Sequence, residues 1–307
     1  MNRHDRQSFL GPDSEAVLKS VQIGLVGLGG GGSHVNQQLA HLGVHHITAV
    51  DFDTVEDTNL NRLVGATVED VAAGRLKVLI AKRVYLGLNP EADYQAIPTT
   101  WQEAADALAA CDIIIGGVDS YTQRSELEAF CRRLMIPYVD MGMDVHELDT
   151  GFSVSGQTIL SMPGGPCMWC TGYLTDARLR EEAARYGAAG GKPQVVWPNG
   201  VLASLAVGLV VKLLTPWRAS QGEIGAYLEY DGDAQTVRTS NRFRAVADKT
   251  CRHYPSDQVG DPLIDLRLID PPVDTQDEVE TPQPALVDPS WLRRMWKFLT
   301  GLGRLDR

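Results

Sequence analysis

Residues 21–32, Val21-Gln22-Ile23-Gly24-Leu25-Val26-Gly27-Leu28-Gly29-Gly30-Gly31-Gly32, join a short apolar run to a cluster of glycines. The apolar run reads as a buried strand. Gly27, Gly29 and Gly32 satisfy G-x-G-x-x-G, and Ser33 to Leu42 suits a helix that Gly43 stops at its C-cap. Alone, the glycine pattern is a weak signal. Between a strand and a helix it marks a turn whose backbone can approach a phosphate. The helix N-terminus there offers unpaired N–H groups and partial positive charge. Asp51 lies 19 residues beyond Gly32, closing the next apolar run, Ile47 to Val50. A carboxylate at that place can accept hydrogen bonds from ribose hydroxyls.

Outward from this unit the rhythm repeats. A helical pattern spans Glu69 to Leu88, and Glu126 to Leu134 reads as another helix. Asp93–Ile97, Asp112–Val118 and Ile136–Asp140 read as strands. The alternation predicts an α/β fold, a Rossmann-like doubly wound sheet, parallel in its N-terminal half with helices on both faces. After residue 145 the pattern changes. Gly151–Ser155 and Gln157–Leu160 look like antiparallel strands, and Tyr227–Tyr230 with Thr236–Arg238 like a hairpin around Asp231-Gly232-Asp233. An antiparallel C-terminal continuation is therefore expected. Gly200 to Leu214 is apolar on nearly every side and predicts a helix buried in the core.

The chain has 307 residues, 44 % of them hydrophobic and 22 % charged, enough for a sizeable core. Its formal net charge of −11 argues against a uniform electrostatic grip on nucleic acid. Five cysteines are too few for a disulfide scaffold. Neither a signal peptide nor a spanning helix is read, so a reducing cytoplasmic setting is expected. Residues 270–289 hold six acidic residues, five prolines and no basic residue. They close a linker set at 261–289. Within 290–307, Trp291, Met295, Phe298, Leu299 and Leu302 share one helical face, with Arg293, Arg294, Lys297 and Arg304 on the other. This predicts a short basic amphipathic helix, suited to docking on its own domain or capturing a partner protein. One such helix would anchor only weakly to a membrane.

An NAD-dependent oxidoreductase would account for the glycine turn and Asp51, but not for the polar and charged residues beyond them. Asp51-Phe52-Asp53-Thr54-Val55 leads to Asn59-Leu60-Asn61-Arg62, then to Lys77, and Asp119 comes after the Asp112–Val118 strand. In this order and spacing the chain resembles the ThiF/MoeB/HesA family, bacterial relatives of ubiquitin-activating enzymes. The family pattern is G-x-G-x-x-G, D-x-D-x-V, N-L-x-R, a lysine and a later aspartate. Arg3-His4-Asp5-Arg6-Gln7 is similar to the family's N-terminal R-x-x-R-Q. The resemblance covers about residues 1–255 and sets the adenylation domain at 1–260. Leu63 stands where the pattern often has glutamine.

The resemblance implies an ATP-dependent adenylyltransferase. It would join the C-terminal carboxylate of a small ubiquitin-like or sulfur-carrier protein to the α-phosphate of ATP and release pyrophosphate. Two anions must meet, so positive charge has to be concentrated between them. Arg62 and Lys77 are the expected phosphate clamps, and Asn59 can hydrogen-bond phosphate without adding charge. Asp119 can hold Mg²⁺, and Asp51 and Asp53 belong to the nucleotide site. Arg6 would reach a neighbouring subunit's ATP, which implies a homodimer. Taken alone, Asp119 could instead cap the following helix, and Arg6 could pair with Asp5 or Asp13.

Pro166-Cys167-Met168-Trp169-Cys170 holds a C-x-x-C, which reads as half a zinc site or a redox pair. The resemblance completes it as structural zinc with Cys251 and His253, the histidine standing one residue closer than the pattern asks. No cysteine occurs from Thr171 to Asn199, where many family members carry one. Glycines 187, 190 and 191 predict a mobile loop able to cross a substrate tail. Cys111 and Cys131 fit burial better than catalysis. The remaining readings are adenylation of a peptide or small carboxylate, an oxidoreductase on the same fold, and an inactive scaffold. A conjugating enzyme is the partner expected for the C-terminal helix.

Overall fold

The computed structural model describes residues 3–185, 193–217, 227–247 and 249–254. All belong to the first of two units into which the chain divides, Met1–Val273 and Asp274–Arg307. The expected linker at 261–289, the helix at 290–307 and the loop glycines 187, 190 and 191 lie outside the described residues.

One sheet carries the fold. Its strands are β1 (Gln22–Val26), β2 (His46–Val50), β3 (Asp93–Ile97), β4 (Ile113–Gly116), β5 (Tyr138–Leu148), β6 (Gly151–Ser161), β7 (Tyr227–Asp231) and β8 (Thr236–Thr239). The spatial order is β3-β2-β1-β4-β5-β6-β7-β8. Pairing is parallel from β3 to β5 and antiparallel from β5 to β8, as expected from sequence. The strand order reverses between β1 and β4, which opens a crevice at their carboxyl ends. Val26 stands in register with Val50 and Gly116, so the turns after β1, β2 and β4 meet at one edge.

The helices are α1 (Ser14–Ser20), α2 (Gly30–Leu42), α3 (Val68–Ala72), α4 (Lys77–Leu88), α5 (Ala105–Ala109), α6 (Tyr121–Arg133), α7 (Asp176–Arg185), α8 (Val196–Leu214) and α9 (Asn241–Arg244). The single helical pattern expected at Glu69–Leu88 is two helices, broken where Gly74 adopts φ 56°. The expected pair Gly151–Ser155 and Gln157–Leu160 is one strand. Gly156 continues it because the strand passes under Leu202, which a β-carbon would approach to 2.5 Å. β5 likewise runs past Asp140 to Leu148, since all eleven of its residues pair with β6. The helix expected to start at Glu126 starts at Tyr121, where the Ser120 hydroxyl accepts the Gln123 N–H at 3.2 Å.

α8 is long and apolar enough by composition to cross a bilayer. Here it packs against α2, β5 and β6 as a core helix, with Leu202, Ala203, Ala206 and Val210 buried. Gly43 ends α2 in the left-handed conformation expected of a C-cap.

The Gly27–Gly32 turn requires its glycines for two different reasons. A β-carbon on Gly32 would lie 1.9 Å from the Gly27 carbonyl oxygen, while one on Gly29 would meet nothing within 4 Å. Gly32→Ala should therefore cost about 2 kcal/mol or more, read as a lowered denaturation midpoint. Gly29→Ala should leave that midpoint unchanged, because the added methyl enters open space.

Candidate functional site

A cavity of about 390 Å³ opens at the crevice and gathers most of the residues singled out in the sequence. Gly27, Gly29, Asp51, Asp53, Asn59, Arg62, Lys77 and Asp119 all line it. Gly32 stands behind the turn and shapes it.

Asp51, at the end of β2, is 8 % exposed. Its Oδ2 accepts the Leu28 N–H at 2.6 Å and its Oδ1 the Asp53 N–H at 2.9 Å. Burial raises its pKa, against the Leu28 N–H and the Lys77 charge, which lower it. The carboxylate thus fixes the glycine turn while facing the cavity. Lys77 begins α4, where a cation opposes the helix dipole. It is held by Asp53, with Nζ 2.6 Å from Oδ2, and its own N–H bonds the Asp53 carbonyl at 2.9 Å.

The segment between these residues is locally capped. The Asn59 Oδ1 accepts the Glu56 N–H at 3.0 Å, and the residue lines the cavity. Arg62 donates to the Thr58 carbonyl at 2.6 Å and to Asn61 Oδ1 at 2.9 Å. Arg62 and Lys77 therefore bring two cations to the cavity lining, and Arg62 lies beside the glycine turn, its Cδ 3.2 Å from where a β-carbon on Gly30 would stand. Asp119 ends the β4 loop on the same cavity wall. The cap of α6 is Ser120, so Asp119 does not serve as the helix cap.

Arg6 does not join this cavity. It lies exposed in a 3₁₀ turn, Asp5–Leu10. Its neighbours explain the position. Arg3 donates to the Leu88 carbonyl at 2.5 Å and Gln7 to the Leu42 carbonyl at 3.0 Å. Both acceptors lie at helix C-termini, whose last carbonyls lack helical partners. The arm is thus docked, and Arg6 makes no hydrogen bond or ion pair among the described residues. Pairing with Asp5 or Asp13 is not seen.

The four metal-ligand candidates converge. Cys167 Sγ, Cys170 Sγ, Cys251 Sγ and a His253 ring nitrogen lie within 4.8 Å of one another. Cys167 and Cys170 are 3.6 Å apart, Cys170 and Cys251 3.7 Å, and His253 Nδ1 is 3.4 and 3.3 Å from Cys167 and Cys170. Sulfurs about 2.3 Å from a tetrahedral ion would stand about 3.8 Å apart, so the set could hold a metal.

Three functional side chains escaped the sequence reading. Arg124, buried on α6, pairs with Asp140 and donates to the Val118 carbonyl at 2.6 Å and to the Met141 carbonyl at 3.2 Å. It fixes the loop before Asp119 against β5. Glu182, on α7, accepts from Tyr121 N at 2.8 Å, Thr122 N at 3.0 Å and the Ser120 and Thr122 hydroxyls at 3.2 and 3.0 Å. It thereby clamps the N-terminus of α6 next to Asp119. Glu128 accepts the Met168 N–H inside the C-x-x-C at 2.8 Å, and burial pushes its pKa up to about 7. Only position relative to Asp119 could have flagged Arg124. Glu182 sits in the charged run Arg180-Glu181-Glu182, which reads as a solvated face.

A glycine turn at a helix N-terminus, a buried carboxylate, two cations and a further aspartate line one cavity at a topological switch point, the arrangement of a nucleotide-binding α/β fold. The chain belongs to the ThiF family, whose model matches residues 1–252. It is 30 % identical over 171 residues to the SAMP-activating enzyme E1 of Haloferax volcanii, covering 55 % of this chain and 60 % of that protein. It is 32 % identical over 175 residues to a sulfur carrier protein adenylyltransferase of Thermus thermophilus, covering 55 % and 63 %. The chain thus spans less than two thirds of the length of these two relatives. It matches the Escherichia coli sulfur carrier protein ThiS adenylyltransferase at 27 % identity, covering 84 % of this chain and 97 % of that one. In fold it is similar to crystal structures of E. coli MccB, one of them with ATP, at TM-score 0.64 and 24 % identity, over 79 % of this chain and 72 % of that one.

Protein purified with its thiols reduced should carry about one metal ion per chain, measured by elemental mass spectrometry. Cys170→Ser should lower the content sharply. A metal-free, fully folded chain would remove the site.

Proposed function

We propose that this chain adenylates the C-terminal carboxylate of a small ubiquitin-like or sulfur-carrier protein with ATP, releasing pyrophosphate. The observation that carries the reading is the convergence of Gly29, Asp51, Arg62, Lys77 and Asp119 on one cavity at the strand ends. The naming of its relatives as adenylyltransferases supports it and argues against an oxidoreductase.

The substrate carboxylate attacks the α-phosphorus and pyrophosphate leaves, so negative charge gathers where two anions already meet. Arg62 and Lys77 offset that charge, and the open face of Gly29 admits the phosphate to the N-terminus of α2. Asp119 would hold Mg²⁺, which prefers carboxylate and phosphate oxygens. Asp51 would bind the ribose, already oriented by its two backbone N–H bonds. None of the five cysteines lines the cavity: Cys111 and Cys131 are buried in the core, and the other three belong to the metal cluster.

Zn²⁺ is the ion that three thiolates and an imidazole suit best, and its role would be structural. The docked arm and the exposed Arg6 support a homodimer in which Arg6 completes the partner's site. A conjugating enzyme engaging residues 290–307, and a reducing cytoplasmic setting, complete the reading.

ATP–pyrophosphate exchange should require Mg²⁺ and appear only with the right carboxylate substrate. Asp119→Ala should slow it by about a hundredfold, the scale of losing a key electrostatic group. Full exchange in that variant would take Asp119 out of the reaction. Mixing Arg6→Ala and Arg62→Ala subunits should restore part of the activity, because one composite site becomes intact. Parents that stay inactive after verified subunit exchange would rule out shared sites.

A further inference from the structure

Asp119 is anchored through the residues on either side of it. The carbonyl of Val118, before it, accepts from Arg124 Nη2 at 2.6 Å. The hydroxyl of Ser120, after it, donates to Glu182 Oε2 at 3.2 Å and accepts the Gln123 N–H at 3.2 Å. A serine hydroxyl has one proton to give. Glu182 takes it, which turns the oxygen lone pairs towards the first turn of α6. The two anchors differ in kind. Arg124 is buried in the core and paired with Asp140. Glu182 comes from α7, at the surface.

Glu182 is fully engaged at this point. Its Oε1 accepts the Tyr121 N–H at 2.8 Å, and its Oε2 accepts the Thr122 N–H and hydroxyl, each at 3.0 Å. A carboxylate is favoured beside the N–H groups of a helix start. Burial acts to raise the Glu182 pKa, but the Thr122 and Tyr121 N–H groups and the two hydroxyls outweigh it and hold it below the ordinary value. Four residues earlier, and so on the same face of α7, Arg178 donates to the Tyr173 carbonyl at 2.7 Å. Its guanidinium lies 5.5 and 5.4 Å from the ring centres of Tyr121 and Tyr173.

The rest of α7 contributes little to its docking. The helix has ten residues. Helices under about 12–15 residues are marginal alone in water, so α7 depends on what it touches. Ala177, Arg180, Glu181, Ala183 and Ala184 are exposed, and Leu179 is a partly buried apolar contact with the core. An element with so few buried apolar contacts opens at low free energy. None of its residues lines the cavity. Opening α7 would release Ser120 while Arg124 still held Val118, so the Asp119 carboxylate would lose one of its two references.

We infer that Glu182 is a positioning residue for Asp119, and that the docking of α7 is thereby coupled to the binding of Mg²⁺–ATP. This rests on the reading of the cavity as an ATP site with Asp119 towards Mg²⁺. The coupling is reciprocal. The factor by which docked α7 tightens Mg²⁺–ATP is the factor by which Mg²⁺–ATP steadies α7.

The test uses the full-length protein, calorimetry and amide hydrogen exchange. Outer partners of a metal-binding carboxylate contribute about tenfold or more to metal affinity. Glu182→Gln should therefore raise the Kd for Mg²⁺–ATP about tenfold, equivalent to about 1.4 kcal/mol. The Kd for ATP in EDTA should stay unchanged, because Asp119 acts only through the metal. In the wild type, Mg²⁺–ATP should slow exchange of the α7 amides by about the same factor. ATP in EDTA should not, and in Glu182→Gln neither ligand should. If Glu182→Gln does not fold, Thr122→Val removes one donor to Glu182 at an exposed position and should weaken Mg²⁺–ATP selectively by a smaller factor. Equal loss of affinity with and without Mg²⁺ would make Glu182 merely structural and overturn the inference. So would unchanged Mg²⁺–ATP affinity in the folded variant, or α7 amides indifferent to Mg²⁺–ATP in the wild type. A wild-type chain that binds no ATP would overturn the adenylation reading itself.

Discussion

The Gly27 carbonyl oxygen occupies the place where any side chain on residue 32 would begin. This close approach lets β1 turn directly into α2, with the half-buried Gly29 lining the cavity at the helix N-terminus. The Leu28 N–H is tied at the same turn to Asp51, at the end of the neighbouring strand. The Gly27 N–H is bonded to the Val50 carbonyl at 3.0 Å, and the Gly117 N–H to the Val26 carbonyl at 2.8 Å. The loops after β1, β2 and β4 are therefore one hydrogen-bonded assembly. The position of Asp119, two residues past Gly117, depends on it.

Charge in the cavity is arranged around that assembly. Paired acids and bases are inexpensive to keep near water, whereas an isolated buried charge is costly. Lys77 and Asp53 form a half-buried pair that can open towards phosphate, because Lys77 has an alternative anion when ATP is present. Arg124 and Asp140 are both buried, with exposures of 6 % and 0 %, and Arg124 is held further by the Val118 and Met141 carbonyls. The first pair is suited to exchange partners on binding. The second is suited to hold β5 and α6 in register while it does so.

The parallel half of the sheet, the turn and the cavity acids were legible in the sequence because their signals are local. A strand, its glycines and the next acid lie within thirty-one residues, from Val21 to Asp51. His253 was legible only in part. Its spacing from Cys251 is short of the family pattern, but the imidazole is longer than a thiol and reaches 3.3 Å from Cys170. Gly156 hid the continuity of β6, since a glycine inside a strand pattern reads as a break. What the sequence could not show is where a charged residue finds a distant partner. Arg124 meets Asp140 across a loop and a strand, and Glu182 meets Tyr121 from sixty-one residues away.

The same holds along α6. Its composition is charged enough to read as solvated, yet Arg124, Glu128 and Arg132 recur at four-residue spacing on its buried face. Arg124 serves the loop that carries Asp119. Glu128 and Arg132 share Ser161, at 2.5 and 3.0 Å, and reach Met168 N and the Gly165 carbonyl around the C-x-x-C. The helix therefore carries a polar stripe from the candidate catalytic loop to the candidate metal cluster. Each side chain on it finds partners on other elements, Glu128 through only one of its two carboxylate oxygens. Truncating one would leave its partner buried and unpaired, so such residues are held in place by the cost of losing either member. This accounts for a charged helix at the centre of the fold, where a helix of that composition would otherwise face water.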